Sequence, residues 1–439
     1  MKASMILAVI LVVALAAVAA LYSQEVQKAS SLEQQIKELE QKVKSYESRF
    51  SELSNTISTL QNEIKARDQQ IQQLQDQLAK AAQRIPGLIY ALIREGREPY
   101  VLVIDPNTNN IVAKIALRFT FSPELFKVVN ATLFRAPSPS RFEVWTPRYW
   151  VPDIPYLIFL FEHPNGSFVA FIDRATFRDV AVIKTYEKYT RQYGGITPDG
   201  RYLIISQRQA QRVVFIDLEK REIIKVVNVD ANPCDAAPSP DGKYVFIPVR
   251  SDQDPKKPEY GLVLEVPTGR EVARYYFKKP GEETYTEPSM TYWSYYKPEY
   301  GILQGEARPY EAVFKFDLAG GKIDLIKEVS YPSTPYMAIE NPAREEVAVV
   351  VYEFGIYVRS LPPEYRVLKE VKLVPDYVKA TEQGTYSQDG RYFYLAGTGG
   401  GGLVILDTST WTVVKHIKAD AAVWVIAVPS GEWLKHWKK

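Results

Sequence analysis

From residue 88 onward, short runs of β-branched and aromatic residues alternate with polar turn sequences. Val213–Val249 contains the whole pattern: VVFID, a turn, EIIKVV, a loop, the turn SPDG and KYVFIP. Runs of this length and composition predict β-strands. In SPDG, Pro240 presets its own φ and Gly242 tolerates a positive φ, as a tight turn between antiparallel strands requires. The unit is therefore a small antiparallel sheet that needs a neighbour to cover it.

This unit repeats along the chain. The turn sequence [ST]-[PQ]-D-G-[KR]-Y ends at Tyr202, Tyr244 and Tyr392. A hydrophobic run of the VVFID type occurs seven times, mostly 43 to 50 residues apart, with a wider first step of about 67. A period in the forties with four strands per repeat is typical of a β-propeller, in which each blade covers its neighbours. We therefore predict an all-β fold of seven blades.

The two ends of the repeat region predict how the ring closes. Only Leu88–Ile93 precedes the first copy, so the first blade lacks an inner strand, whereas Ala422–Gly431 follows the last copy as an inner strand without a blade. We expect one sheet with three strands from the start of the domain and one from its end.

The region between the first two copies is the least regular. Arg141–Trp145 is interpreted as an inner strand and Tyr156–Phe161 as the next, which leaves residues 119–140 as an insertion. Asn130 and Asn165 begin N-x-[ST] sequences and are candidate glycosylation sites.

The first 23 residues are interpreted as a membrane anchor. Residues 5–22 are uncharged and almost wholly apolar, just long enough for one helical span of a hydrocarbon layer of about 30 Å. Lys2 before the span and a large domain after it favour a single-pass protein with its propeller outside the cytoplasm. A cleaved signal peptide is the alternative, since Ala17–Ala19 has small residues at cleavage spacing. A pilin-like signal is a third interpretation.

Residues 24–85 are predicted to form a coiled coil before a propeller domain of residues 86–439. Between Gln24 and Arg84 the sequence contains no Gly or Pro, and a heptad can be assigned without a break. Sustained heptads with mostly β-branched a positions and Leu at d favour a parallel dimer, although aromatic layers and Arg67 at d leave a trimer open. The a positions are Ile36, Val43, Phe50, Ile57, Ile64, Ile71 and Leu78, and the d positions are Leu32, Leu39, Tyr46, Leu53, Leu60, Arg67, Leu74 and Ala81.

The amino-acid composition limits the classes of binding partner and locates the main domain boundary. The net charge of +2 predicts no nucleic-acid partner and no adhesion to membrane surfaces by charge. The single cysteine, Cys234, excludes an internal disulfide framework. All 29 prolines and all 23 glycines follow residue 85, so the main domain boundary lies there.

The turn motifs ending at Tyr202, Tyr244 and Tyr392, with hairpins such as Ile405–Thr410, make the chain from about Leu88 to Lys439 similar to YVTN-type repeat propellers. Lactonase-like and cytochrome d1-type propellers are relatives of that family. The resemblance implies a seven-bladed fold, and it implies little about function, because this architecture serves enzymes and scaffolds alike. Two repeats depart from the motif, with Lys297–Tyr300 and Asn341–Arg344 in place of the D-G turn.

No cofactor or metal is predicted. His163, His416 and His436 lie far apart without a Cys or carboxylate at metal-ligand spacing, and C-x-x-C-H is absent. Gly397, Gly399 and Gly402 satisfy G-x-G-x-x-G but join two predicted strands, whereas dinucleotide binding requires a strand that opens into a helix.

Candidate ligand-binding residues come from aligning the inner strands on the D-G turn, because propellers usually bind ligands at the central channel. Six positions before the Asp lie Tyr193, Asp235, Trp293, Met337, Gln383 and Trp424; one position earlier lie Gln192, Cys234, Tyr292, Tyr336, Glu382 and Val423. Only one of the two sets is expected to face the channel. The ligand-binding candidates at the channel mouth are Arg191, Tyr193, Asp235, Trp293, Glu382, Gln383 and Trp424. A separate aromatic cluster, a candidate partner-binding face, comprises Tyr285, Tyr292, Tyr295, Tyr296 and Tyr300.

The sequence favours a membrane-anchored binding or scaffolding module for a protein or glycan, rather than an enzyme. Clustering through the coiled coil would strengthen weak binding sites. One alternative is a lactonase-like hydrolase of a small ester or lactone that uses Asp235, Glu382 and Arg191. Another is an accessory subunit of a membrane redox complex. Convergent carboxylates, Arg and His at one channel mouth would favour the hydrolase, and an aromatic channel would favour binding.

Overall fold

The structure is a computed structural model that describes residues 2–82, 87–96, 98–122, 144–145, 153–163, 165–282 and 286–428. The chain divides into two units, residues 1–73 and 74–439. The first consists of one helix, and the second contains the sheets.

A single α-helix, Lys2–Ala82, contains both the apolar segment and the heptads. Its apolar part is long enough to cross a membrane, with a mean hydropathy of 2.8 in its most apolar window. The heptad residues from Leu32 to Leu60 and Leu74 are each more than 50% exposed in the single chain. Coiled-coil pairing stays a prediction.

Seven sheets form in the described part of the second unit, as predicted. Blades are numbered from the N-terminus, and strands are given from the inner to the outer edge. Blade one contains Ala421–Ala427, Ile89–Glu95, Glu98–Asp105 and Asn110–Ala116; blade two contains Val144–Trp145, Tyr156–His163, Gly166–Asp173 and Asp179–Tyr186; blade three contains Gln192–Ile196, Tyr202–Gln207, Arg212–Asp217 and Glu222–Asn228.

The remaining blades have the same antiparallel order. Blade four contains Asn232–Pro233 and Ala237–Pro238 as two short inner pieces, followed by Tyr244–Arg250, Glu259–Glu265 and Glu271–Lys278; blade five contains Pro288–Trp293, Tyr300–Gly305, Tyr310–Asp317 and Lys322–Ser330; blade six contains Pro335–Glu340, Glu346–Val351, Gly355–Ser360 and Val367–Lys372; blade seven contains Gln383–Tyr386, Tyr392–Gly397, Gly402–Asp407 and Thr412–Ile417.

The ring closes as the sequence predicts. Ala421–Ala427 pairs antiparallel with Ile89–Glu95, so blade one has one strand from the end of the domain and three from its start. The Trp424 ring of blade one lies 5.5 Å from the Phe159 ring of blade two, edge to face. Burying such large apolar rings between blades ties both chain ends into the core.

In these D-G turns, the hydroxyl of the first residue donates a hydrogen bond to the aspartate carboxylate of the third residue. Ser239 Oγ donates to Asp241 Oδ1 at 2.7 Å, and the Lys243 amide donates to the same oxygen at 3.1 Å. Gly242 has a φ of 72°, which an L side chain rarely adopts. The carboxylate thus supplies the hydrogen bonds that the turn backbone lacks.

The irregular region is described only in part. Val144–Trp145 pairs with Tyr156–His163, which supports the end of the predicted inner strand. A four-residue helix, Leu117–Thr120, lies at the start of the predicted insertion. The rest of that insertion, including Asn130, lies outside the described residues; Asn165 is exposed in the turn after Tyr156–His163.

Candidate functional site

The inner strands give the propeller two ends. We call the end where the inner strands of blades three to seven begin the start face; Arg191, Glu287 and Glu382 immediately precede three of these strands. The opposite end, where the D-G turns of Asp199 and Asp241 lie, is called the turn face.

A network of ion pairs crosses three blades at the start face. Arg250, whose side chain is 8% exposed, lies 2.7 Å from Glu287 and 2.9 Å from Asp252 through Nε, and its Nη1 pairs with Glu306. Arg208 of blade three pairs with Asp252 through Nε at 3.0 Å. Each arginine therefore has carboxylates around it, as buried charges require.

Electrostatics keep the Glu306 carboxylate ionised. Burial acts to raise its pKa, but attraction to Arg250 and Arg208 outweighs burial, so the pKa of Glu306 lies below its usual range. Tyr336 of blade six donates from its hydroxyl to Glu306 at 3.3 Å. An ionised carboxylate held by arginine is a weak general base, since its proton affinity is low.

A small cluster of buried side chains lies close to this network. Tyr193, Cys234 and Met290 are buried against one another, and the half-buried Tyr336 packs on them. Cys234 Sγ lies 3.4 Å from Ser289 Oγ. Burial raises the pKa of the Cys234 thiol, although Arg208 and Arg250 partly oppose this shift. The thiol therefore stays protonated and lacks the reactivity of a thiolate.

The hydrogen bonds correct the inner-strand alignment in blade five. The amides of Thr197, Ser239 and Ser294 donate to the carbonyls of Tyr202, Tyr244 and Tyr300, so these three turns are equivalent. Tyr193 pairs with the residue four positions after Tyr202, and Met290 with the residue four after Tyr300. Met290 therefore occupies the position that the inner-strand alignment assigned to Trp293. The turn of blade five is one residue longer, and its Lys-Pro-Glu segment is not equivalent to Pro-Asp-Gly.

Residues of both aligned sets lie in one buried cluster, and which set faces the channel stays a prediction. Cys234 and Tyr336 belong to one set and Tyr193 to the other, yet all three pack together. The register shifts between Pro288 and Met290 in blade five and between Pro335 and Met337 in blade six. A bulge of this kind inserts a residue and changes which side chains share a face.

The other predicted ligand-binding residues are spread over several environments. Asp235 is fully buried, and its Oδ1 accepts from the Ala236 amide at 2.9 Å. Gln383 and Trp424 are buried on the inner strands of blades seven and one. Arg191 and Glu382 are half-buried at the start face. Burial of Asp235 keeps its carboxylate from reaching a substrate.

A cavity of about 630 Å³ lies at the turn face. It extends across the turns of blades three, four and five. Aromatic rings and prolines form much of its wall, together with two turn aspartates. The lining residues are Pro198, Asp199, Ser239, Pro240, Asp241, Tyr244, Trp293, Tyr295, Pro298 and Leu318.

Local contacts hold the aromatic wall in place. The Tyr244 ring stacks on the Trp293 ring with centroids 6.5 Å apart and 19° between planes. Trp293 Nε1 donates to the Pro298 carbonyl at 2.7 Å, and its ring lies 4.5 Å from that of Phe316. Since the indole donor is already satisfied, Trp293 offers the cavity an apolar ring.

Each of the two turn aspartates uses one carboxylate oxygen to stabilise its turn. Oδ1 of Asp199 accepts from Thr197 Oγ1 at 2.5 Å and from the Arg201 amide at 3.0 Å, as Oδ1 of Asp241 does in its own turn. Both aspartates are exposed. Each turn therefore uses one carboxylate oxygen and directs a charged group towards the cavity rim.

A buried glutamate anchors the loop that carries Tyr295. Glu340 of blade six accepts from Ser294 Oγ and, at 2.8 and 3.2 Å, from the amides of Tyr295 and Tyr296. Burial raises the pKa of Glu340 to about 7, while these hydrogen bonds act in the opposite direction. The cavity wall thus depends on a carboxyl group that titrates near neutrality.

The predicted aromatic cluster is mainly part of the core. Tyr292, Tyr295 and Tyr300 are buried, and Tyr296 is half-buried with its hydroxyl donating to the Asn341 carbonyl at 3.0 Å. Tyr285 lies outside the described residues. Of this cluster, Tyr295 reaches the cavity.

Inner-strand alignment missed Arg208, Arg250 and Glu306, because they lie at the ends of second strands. The sequence nevertheless contains a signal, since each of the three follows Tyr202, Tyr244 or Tyr300 by six residues. Tyr352 and Thr398 hold the same offset from Glu346 and Tyr392. Repeated offsets of this kind bring side chains from successive blades to one face.

Within the described residues, no group of three or more His, Cys, Asp or Glu side chains could hold a metal ion. His416 Nε2 lies 2.6 Å from the Gly401 carbonyl oxygen. The Gly397–Gly402 segment is a hairpin between two strands of blade seven, as expected.

No family model matches this sequence, and no curated protein matches it either. Solved structures share its propeller fold. The periplasmic gluconolactonase of Pseudomonas aeruginosa is similar with a TM-score of 0.54 and 13% identity, covering 79% of this chain and 99% of its own. A putative 6-phosphogluconolactonase of Bacteroides uniformis has a TM-score of 0.53 and 15% identity over 78% of this chain and all of its own. A dihydro-heme d1 dehydrogenase has a TM-score of 0.50 and 14% identity over 80% and 76%. At these identities the likeness extends to the fold alone.

Proposed function

We propose that this protein is a membrane-anchored binding module whose turn-face cavity holds a sugar unit of a glycan. The observation that carries the proposal is the cavity itself, with aromatic rings along its wall and aspartate carboxylates at its rim. Binding sites commonly combine an apolar wall with a few polar groups that fix orientation. At the opposite end, Tyr193, Cys234 and Met290 are buried against one another close to the ion pairs.

The chemistry of the cavity fits a sugar. Its C–H faces can lie on the Tyr244 ring, and its hydroxyls can donate to the exposed carboxylates of Asp199 and Asp241, the second of which lies 3.6 Å from the exposed Lys243 Nζ. Hydrogen bonds to ionised acceptors are stronger than those between neutral groups. One site of this kind binds weakly, so avidity is part of the proposal.

The helix supports the anchored and clustered arrangement. Its N-terminal part is apolar enough to span a bilayer, and the expected orientation puts the propeller outside the cytoplasm. The exposed heptad residues provide a surface for a second copy of the chain. Two or three propellers on one membrane would then engage a repeating glycan together.

Binding to immobilised oligosaccharides tests this function. The full-length chain in mild detergent is screened, and the affinity of a positive glycan is measured by calorimetry. Tyr244→Ala is expected to weaken binding about tenfold, because the ring and the sugar bury apolar area against each other at about 25 cal/mol per Å². Tyr202→Ala removes the equivalent tyrosine of blade three outside the cavity and should leave affinity unchanged. Equal losses in both variants, or no glycan bound, would contradict the proposal.

A lactone hydrolase is the second candidate, and the convergence of Arg208, Arg250 and Glu306 at the start face favours it. One structural neighbour is named as a gluconolactonase and another as a putative 6-phosphogluconolactonase. The test is hydrolysis of aldonolactones by the full-length chain. Activity that is lost in Glu306→Gln and kept in Tyr244→Ala would locate the function at the start face and displace the glycan proposal.

A further inference from the structure

One charged residue interrupts the apolar seam of the long helix. Among the a and d positions from Leu32 to Leu74, Arg67 is the only one with a charged side chain. It lies at a d position between Ile64 and Ile71 and is exposed in the single chain. A lone charged seam residue lowers coiled-coil stability, so its surroundings decide what it contributes.

Two acidic residues, Glu63 and Asp68, lie close to Arg67 in a parallel pair of helices. Glu63 precedes Arg67 by four residues on the same helix, the favourable order for an i, i+4 ion pair. Asp68 occupies the next position, e. In a parallel coiled coil a d side chain inserts beside the d and e residues of the facing helix. Arg67 of each copy therefore lies beside Asp68 of the other.

The g and e positions along the seam support the same orientation. In a parallel pair each g residue faces the e residue five positions further along the other helix. Lys28 then faces Glu33, and Lys42 faces Glu47, both with opposite charges. From residue 28 to residue 75 the only like-charged pair is Glu63 with Asp68. That pair flanks the Arg67 layer.

We propose that Arg67 sets the register of two copies of this chain, paired parallel with identical residues opposite each other. In this arrangement the guanidinium neutralises the one repulsive pair of the seam. Antiparallel helices bring e opposite e and g opposite g, which separates Asp68 from Arg67 of the other copy unless the helices cross there. The inference rests on the proposed self-association in parallel and adds its register and the residue that sets it.

Cysteine cross-linking of the full-length chain in detergent micelles tests the orientation. Single cysteines replace Leu39 and Leu74 in separate d-position variants, and Gln41→Cys and Asp76→Cys are the matched controls on the outer face. The native Cys234 is 1% exposed and does not compete. Under mild oxidation, both d variants should form disulfide-linked dimers at least about tenfold faster than their controls.

The cross-linking results distinguish failure of the parallel register from failure of self-association. Fast cross-linking at one d position alone would overturn the parallel register, because antiparallel helices can bring at most one of these positions onto its own copy. No preference at either d position would overturn self-association itself. Neither outcome alters glycan binding by a single propeller, which the Tyr244 variant measures separately.

A double-mutant cycle tests the role of Arg67. Asp68→Asn is expected to weaken dimerisation about tenfold in the native background, because it leaves Arg67 without its partner. In an Arg67→Leu background the same change should strengthen dimerisation, since it now only removes the repulsion with Glu63. Gln61→Asn, another e-position change, should alter neither. An equal effect of Asp68→Asn in both backgrounds would overturn the role of Arg67. Dimer dissociation is measured by subunit exchange with fluorescent labels.

Discussion

The two ends of the propeller use charge in opposite ways. At the start face, carboxylates and arginines from different blades neutralise one another. The side chain of Arg250 contacts three carboxylates, those of Asp252, Glu287 and Glu306. At the turn face, the carboxylates of Asp199 and Asp241 are held by their own turns and remain exposed. One end connects blades, and the other presents groups to solvent.

The source of the hydrogen-bond partners explains this difference. A D-G turn satisfies its aspartate with a nearby hydroxyl and a backbone amide, so no neighbouring blade is needed. Arg250 has one nearby carboxylate, Asp252, but its other two partners, Glu287 and Glu306, lie across the gap in blade five. Charges that need distant partners contribute to ring closure, whereas charges satisfied locally are available for a ligand.

The largest expected effect is the loss of Arg250. Arg250→Met leaves Glu287, which is 1% exposed, without the positive charge 2.7 Å away, although Ser251 Oγ and the Gln253 amide still donate to it. Removing one partner of a buried ion pair costs about 3–5 kcal/mol, because the remaining charge is buried and uncompensated. We expect the free energy of unfolding of the propeller, measured by denaturant titration, to fall by that amount.

Arg308→Met is the matched control for Arg250. Arg308 lies 3.7 Å from Glu328, and both side chains are well exposed. Exposed pairs contribute about 0–1 kcal/mol, so this variant should be nearly as stable as the native chain. Similar losses for the two arginines would show that start-face pairing does not hold the blades together.

Glu340 gives the turn face a dependence on pH. In the unfolded chain a glutamate titrates near about 4.3, whereas the pKa of folded Glu340 is about 7, so the folded chain binds the proton more tightly. The resulting stability is fully present below the unfolded pKa and is lost as the pH rises through 7. With about 1.4 kcal/mol per pKa unit, the full change is about 4 kcal/mol.

Glu340→Gln should remove this dependence. The amide mimics the protonated carboxyl and can still accept from the Tyr295 amide. Denaturant titrations between pH 5 and 8 are expected to give the native chain a steeper fall in stability than the variant. Glu219→Gln changes an exposed carboxylate and is the control. An unchanged slope in Glu340→Gln would mean that Glu340 stays ionised across this range.

The sequence predicted the architecture well because its signals are local. The D-G-[KR]-Y turns and the hydrophobic runs specify strands and their order, and the two terminal runs predicted the shared blade. The position of Trp293 could not be aligned, because the turn of blade five lacks the motif and is one residue longer. The bulges before Met290 and Met337 leave no signal in a hydrophobic pattern.

The site was harder to predict because it depends on burial and on contacts between blades. Asp235 and Tyr292 have suitable chemistry, yet both are buried in the folded chain. The start-face network joins residues about 40 to 60 positions apart, such as Arg250 and Glu306. Only the repeated offset of six after the turn tyrosine linked them in the sequence.

The smallest expected effect separates the two roles of a turn aspartate. Asp241→Asn keeps an oxygen that can accept from Ser239 and from the Lys243 amide, so stability should change by less than about 0.5 kcal/mol. The variant loses the charge at the cavity rim, and glycan affinity should fall about threefold, because a charge-assisted hydrogen bond becomes a neutral one. Asp389→Asn makes the same change in the turn of blade seven, outside the cavity, and should leave affinity unaltered. If Asp241→Asn and Asp389→Asn both bind glycan as tightly as the native chain does, the exposed carboxylates take no part in recognition. The two ends of the propeller would then differ in packing alone.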